Sequence, residues 1–124
     1  FNNFYKNLLL TKKNIKELFE KIQKQKKIIA GFGAARSGTT LITQMEIGDK
    51  IQYIVDDNLE KQGKFSPGDH ILVRPTSYIY ENSPDYLIIL AWIHSKNIIE
   101  NHQKYLDQGG SFIVCFPELK IIKK

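Results

Sequence analysis

At 124 residues the chain is long enough for one domain with a single sizeable core and too short for two. Its 42% hydrophobic and 25% charged residues are those of an ordinary globular protein; no apolar run approaches the roughly 18 residues of a membrane span, and nothing resembles a signal peptide. The net charge of +5 invites a nucleic-acid reading that its distribution opposes: residues 1–27 hold eight lysines against Glu17 and Glu20, the remaining 97 residues carry eleven acidic side chains against ten basic, and the only arginines are Arg36 and Arg74.

Phe1 is not an initiator methionine, which predicts a piece of a longer chain. Phe1, Phe4, Tyr5, Leu8 and Leu9 have the spacing of a helix with one apolar face. Thr11 is placed to cap a second helix, in which Ile15, Leu18, Phe19 and Ile22 repeat the pattern before a lysine-rich last turn. Residues 1–26 therefore read as a helical arm from an upstream domain, and 27–124 as an α/β domain.

From Lys27 the pattern changes to strands. Lys27 to Phe32 is the first, and it runs into a turn carrying Gly31, Gly33 and Gly38. The spacing is GxGxxxxG rather than the GxGxxG of a dinucleotide fingerprint. A backbone free of side chains can approach an anion, and the first amides of a following helix point at it with the positive end of the dipole. That helix is expected over Ser37 to Ile47, with Gly48 as its stop. Ile51 to Val55 forms a second strand, ending in Asp56 and Asp57, and 58–69 is a loop punctuated by Gly63, Pro67 and Gly68. His70 to Val73 is a short strand closed by Arg74-Pro75, and between Pro75 and Pro84 the helix signal is weak. Tyr86 to Leu90 is a buried strand, Ser95 to Gln108 a helix with Ile98, Ile99, His102, Tyr105 and Leu106 inward, and Ser111 to Phe116 the last strand, ended by Pro117.

Five strands alternating with helices predict a Rossmann-like α/β fold: a mostly parallel, doubly wound sheet of order 3-2-1-4-5, preceded by the N-terminal helices. A crevice then opens above the carboxyl ends of the first and fourth strands, where ligands bind in such sheets. Gly31, Gly33, Ala34, Ala35, Arg36 and Ser37 reach it from one strand, Trp92 and His94 from the other, with Asp56 alongside and Lys61 on the next loop. Each has a competing role. The glycine turn can bind phosphate or only pack helix on strand, and Arg36 can clamp a pyrophosphate or pair with Asp56 or Asp57. Asp56 can hold a ribose or brace its loop, the segment from Lys61 to Lys64 can meet substrate or fold back on the sheet edge, and Trp92 and His94 can stack on a ligand or on another domain. Cys115, amid apolar neighbours, reads as a buried inert thiol, and a lone cysteine fits a cytoplasmic protein. His70, His94 and His102 lack metal-ligand spacing, so no metal is expected.

Four blocks, GFGAARSGTTL, IVDDNLEKQGKFSPGDHI, PDYLIILAW and GGSFIVCFPE, closely resemble in order and spacing the C-terminal domain of S-adenosylmethionine-dependent sugar C-methyltransferases, over roughly Lys27 to Glu118. The resemblance implies a domain that follows a zinc-binding and a methyl-donor-binding domain and holds a nucleotide-diphosphate sugar against the latter. Acid/base residues, zinc cysteines and S-adenosylmethionine then belong upstream, and this chain alone is not catalytic. The implied reaction is deprotonation beside a ketone and attack of the carbanion on the methyl sulfonium. Where many family members read GYGAxAKGNT, this chain has Arg36 in place of a small residue and Ser37 in place of the lysine, which moves the cation one position earlier. Two other readings stand beside this one: a free-standing NAD- or nucleotide-binding module, and a structural unit that buttresses neighbouring domains or a homo-oligomer partner.

Overall fold

The computed structural model describes residues 2–33, 45–65, 71–115 and 119–124, with the backbone alone for residues 2–5, 7 and 8. The expected helix over Ser37 to Ile47 lies almost wholly outside the described residues; at its end Met45 and Ile47 are buried, and Gly48–Lys50 is a single 3-10 turn.

Helix α1 (Asn2–Lys24) is continuous, where the sequence predicts two helices. Thr11 sits inside it rather than capping a second one, because no glycine or proline interrupts residues 2–24 and a lone threonine costs a helix interior only a few tenths of a kcal/mol. The helix stops at Lys26, which takes a left-handed φ of 57° while the Lys27 amide reaches back to the Ile22 carbonyl. Ile15, Phe19 and Ile22, one per turn, are buried against the sheet, whereas Leu9 and Leu10 are exposed. Lys12 and Lys16 both pair with Glu46, the shorter contact being 2.9 Å, and tie the helix surface to the segment entering the 3-10 turn.

The sheet has six strands: β1 (Ile29–Phe32), β2 (Ile54–Asp56), β3 (Val73–Pro75), β4 (Tyr86–Ile89), β5 (Ser111–Val114) and β6 (Lys120–Ile122). Their order is β3-β2-β1-β4-β5-β6, so the expected 3-2-1-4-5 arrangement holds. The first five strands are parallel, and β6 is added antiparallel to β5. β5 ends at Val114 but the sheet continues: after five intervening residues Lys120-Ile121-Ile122 pairs antiparallel with it, where a parallel strand would need a long crossover. The third strand is shifted from its expected position, starting at Val73 and running through Pro75. As an edge strand it needs no outward amide at residue 75, so proline is tolerated there.

Alternate strand residues feed two cores. Ile29, Ile54, Val73, Ile88 and Ile113 join α1, Met45 and Ile47 on one face. Ala30, Val55, Leu87, Ile89, Phe112 and Val114 face α2 (Tyr78–Asn82), α3 (Ser95–Asn101) and α4 (Gln103–Asp107) on the other. Burial on both faces explains why these strands read as near-continuous apolar runs. The single helix expected over Ser95 to Gln108 is two, broken at His102, whose backbone leaves the helical region at φ −124° and ψ 38°. Its imidazole Nδ1 lies 2.7 Å from the Tyr80 hydroxyl on α2, a contact 22 residues away in sequence.

Candidate functional site at the carboxyl edge of the sheet

The parallel ladder sets Phe32 beside Ile89, so the ends of β1 and β4 are neighbours from which the chain leaves toward opposite faces. The Phe32 carbonyl fastens the two tips, accepting from the Leu90 amide at 2.9 Å and the Ala91 amide at 3.3 Å. β2 brings Asp56 to the same edge, and Trp92–His94 forms a 3-10 turn directly after β4. The fold thus gathers Gly31, Gly33, Asp56, Trp92 and His94 at one rim. Ala34, Ala35, Arg36 and Ser37 lie outside the described residues.

The two described glycines are used within the protein. The Gly31 amide donates to the Tyr53 carbonyl at 2.9 Å and the Gly33 amide to the Val55 carbonyl at 2.8 Å. A Cβ at Gly31 would stand 2.8 Å from Leu90 Cδ1. At Gly33, where φ is +100°, it would stand 2.9 Å from Ala91 Cβ and 3.3 Å from the Ala91 nitrogen. Their missing side chains therefore let β1 close on β4. Any anion-binding amides of the turn must come from later residues.

Asp56 braces its own loop: Oδ1 accepts the Asn58 amide at 2.8 Å, the carbonyl accepts from Gln62 Nε2 at 2.9 Å, and Asn58 Oδ1 in turn accepts the Glu60 amide. The stretch containing Lys61 folds back on the sheet edge, with the Gly63 amide donating to the Val73 carbonyl at 2.7 Å and the Val73 amide to the Lys64 carbonyl at 2.8 Å. This covers the outer edge of β3. Trp92 is half-buried against the α1-side core, while His94 and Ile93 are exposed. Cys115 is fully buried, and burial pushes its thiol up to about 12, which keeps it a protonated, inert side chain. Among the described residues, no group of three His, Cys, Asp or Glu side chains could hold a metal ion, and no helix is long and apolar enough to cross a membrane.

Two polar groups near this edge have surroundings that periodicity alone does not show. Thr76, just past β3, is 8% exposed and its hydroxyl has no hydrogen-bond partner. An unpaired buried hydroxyl costs about 1–3 kcal/mol, so Thr76→Val is expected to raise stability by about 1 kcal/mol in urea denaturation. A loss of stability would mean that the hydroxyl is used.

The second is His102. Its ring lies 5.2 Å from Phe32, the last residue of β1, beneath the rim. Burial holds its pKa below the ordinary value of 6.5, with Asp57 pulling weakly the other way. The unfolded chain then binds the extra proton first. This contribution to stability is complete above the ordinary histidine value and is lost as pH falls from there through the depressed folded value. Denaturation midpoints between about pH 7.5 and about pH 5 should show such a fall, flattened in His102→Gln.

The comparisons with known proteins fit this architecture. A sequence model of the C-methyltransferase C-terminal domain matches residues 1–117. The C-methyltransferase NovU of Streptomyces niveus is 35% identical over 109 residues, which are 87% of this chain and 26% of NovU, so the chain spans about a quarter of that relative. In fold it is similar to the UDP-D-quinovosamine 4-dehydrogenase of Vibrio fischeri, with a TM-score of 0.53 at 16% identity over 78% of this chain and 93% of that one. By the family match over nearly its whole length, the chain belongs to the C-methyltransferase C-terminal domain family.

Proposed function

We propose that this chain helps bind and orient a nucleotide-linked deoxysugar, at the rim between β1 and β4, for C-methylation that other domains of the same protein catalyse with S-adenosylmethionine. The observation that carries this reading is the adjacency of β1 and β4 at the point where the chain reverses direction, the usual ligand position in open α/β sheets. Arg36 and the amides of residues 34–37 supply charge and donors for the diphosphate, and Trp92 and His94 border the base or sugar. The methyl donor is assigned in this reading to those other domains. Within the protein, the close approach at Gly33 is made to Ala91, and Asp56 Oδ1 accepts an amide of its own loop while the second carboxylate oxygen keeps its acceptor capacity. The chain's share is therefore positioning: holding the carbon to be methylated in line with a sulfonium methyl group seated elsewhere.

The use of Gly31 and Gly33 in internal packing also favours a second reading, in which the unit only buttresses neighbouring domains or a second copy. NMR titration with a pyrimidine-nucleotide diphosphate sugar separates the two, with NAD as the comparison. Shifts at Gly33 to Ser37 and at the Trp92 indole are expected with the nucleotide sugar. Their absence at saturating concentration supports the buttress, and shifts with NAD alone would favour a dinucleotide-binding module instead.

A further inference from the structure

The amino edge of the sheet, opposite the rim, holds a second concentration of polar chemistry. Gln52 and Tyr53 lead into β2, Leu72 leads into β3, and α2 runs back from the end of β3 until Asn82 meets Tyr53. With Arg74 and Tyr78, these residues line a concavity of about 130 Å³.

Its wall is built in a fixed order. The Tyr53 hydroxyl, on a buried side chain, donates to Asn82 Oδ1 at 2.8 Å. Tyr78 meets the Tyr53 ring edge-on at 4.9 Å and 78°, and the Arg74 guanidinium lies over the Tyr78 ring, 4.4 Å from its centroid. Arg74 is thus held over an aromatic face by a cation–π contact that leaves its N–H groups available to a ligand. Asn82 Oδ1 accepts from Tyr53, and the NH2 group of the same amide supplies two donors. Gln52 adds a further amide, and among the described residues no carboxylate lines the concavity. Among the described residues none pairs with Arg74 either. The described lining is rich in donors and carries one positive charge, with no counter-ion among the described residues.

We propose that this concavity is a second site, which takes a small oxyanion of carboxylate or phosphate chemistry, gripped by the Arg74 fork and by the Asn82 and Gln52 amides. Stacking on Tyr78 orders the guanidinium before the ligand arrives, so little conformational freedom is lost on binding. The volume of about 130 Å³ admits a carboxylate or phosphate group. An anion there bridges β3, α2 and the approach to β2, bracing α2 against the sheet edge. It acts on the fold rather than on the reacting sugar, and the proposal stands whether or not the rim binds a nucleotide sugar.

Selective labelling at arginine Nε tests it, since the chain holds only Arg36 and Arg74 and the Arg74→Lys protein assigns the second signal. Acetate and inorganic phosphate are titrated separately at constant ionic strength against chloride. The expected result is a saturable shift of the Arg74 signal with at least one of them. Response to acetate alone marks a carboxylate ligand, to phosphate alone a phosphate ligand, and to both the shared oxyanion chemistry. By calorimetry Arg74→Lys, which keeps the charge but loses the fork and the flat face, should bind at least tenfold more weakly, and Gln52→Ala, at an exposed side chain, severalfold more weakly. A shift no larger than chloride produces, or unchanged affinity in the Gln52→Ala and Arg74→Lys proteins, overturns the proposal.

Discussion

Replacing Gly110 with alanine is expected to cost about 3 kcal/mol and to lower the Tm by roughly 10 °C. A Cβ on Gly110 would be driven into the Tyr105 ring, contacting three of its carbons inside van der Waals range. That ring cannot step aside. It is 1% exposed, its hydroxyl donates to the Pro84 carbonyl at 2.8 Å, and it packs edge-on against Phe112 at 5.2 Å. The glycine lets the chain pass under Tyr105 between α4 and β5, where the Gly110 amide returns to the Tyr105 carbonyl. Urea denaturation measures the loss. Because Gly110 lies at the amino edge, the surviving folded fraction of Gly110→Ala should bind at the carboxyl rim with unchanged affinity. A cost below about 0.5 kcal/mol, within the range of ordinary surface changes, would contradict the packing described here.

Gly33→Ala is the second large effect, about 2–4 kcal/mol, and it has two separable sources. A φ of +100° is costly for any residue with a Cβ, and the added carbon would press on Ala91, including its backbone nitrogen at 3.3 Å. Gly63 is the control. Its φ is +81° but nothing lies within 4 Å of a built Cβ, so Gly63→Ala should cost only the backbone part, about 1 kcal/mol. The excess at Gly33 measures the closure of β1 on β4. Since relief requires Ala91 to retreat, Gly33→Ala should also weaken ligand binding at the rim, which Gly63→Ala should leave alone. Equal costs at the two glycines would show that the β1–β4 contact is slack.

These positions also show where the sequence is legible. The sheet order was readable because strands buried on both faces must be apolar at every position, and Ile29 to Phe32, Tyr86 to Ile89 and Ser111 to Val114 nearly are. The α1 break expected at Thr11 arose from a capping rule that a longer uninterrupted helix overrides. β6 was hidden because three residues, Lys120-Ile121-Ile122, make too short a pattern to stand out, and they gain strand character only by pairing with β5. At the rim the glycines announced a close approach, but not to what. Ala91 and Leu90 are nearly sixty residues away, and nothing local to Gly31 or Gly33 names them. Long-range side-chain contacts hid the His102–Tyr80 pair and the Arg74–Tyr78 stack in the same way. The Asp56 and Lys61 loops followed local rules, the first an aspartate accepting the amide two residues on, the second a glycine-bearing return along an edge strand.

Hydrogen–deuterium exchange on the protein, with and without a pyrimidine-nucleotide diphosphate sugar, tests most directly the claim that the carboxyl rim is a ligand seat. Ligand should slow exchange in peptides covering residues 33–40 and 90–95, with peptides at the opposite edge, residues 82–85 and 107–110, unchanged. Protection absent from the first two segments at saturating ligand, while the ligand demonstrably binds, would place the nucleotide sugar elsewhere and contradict the role assigned to this domain.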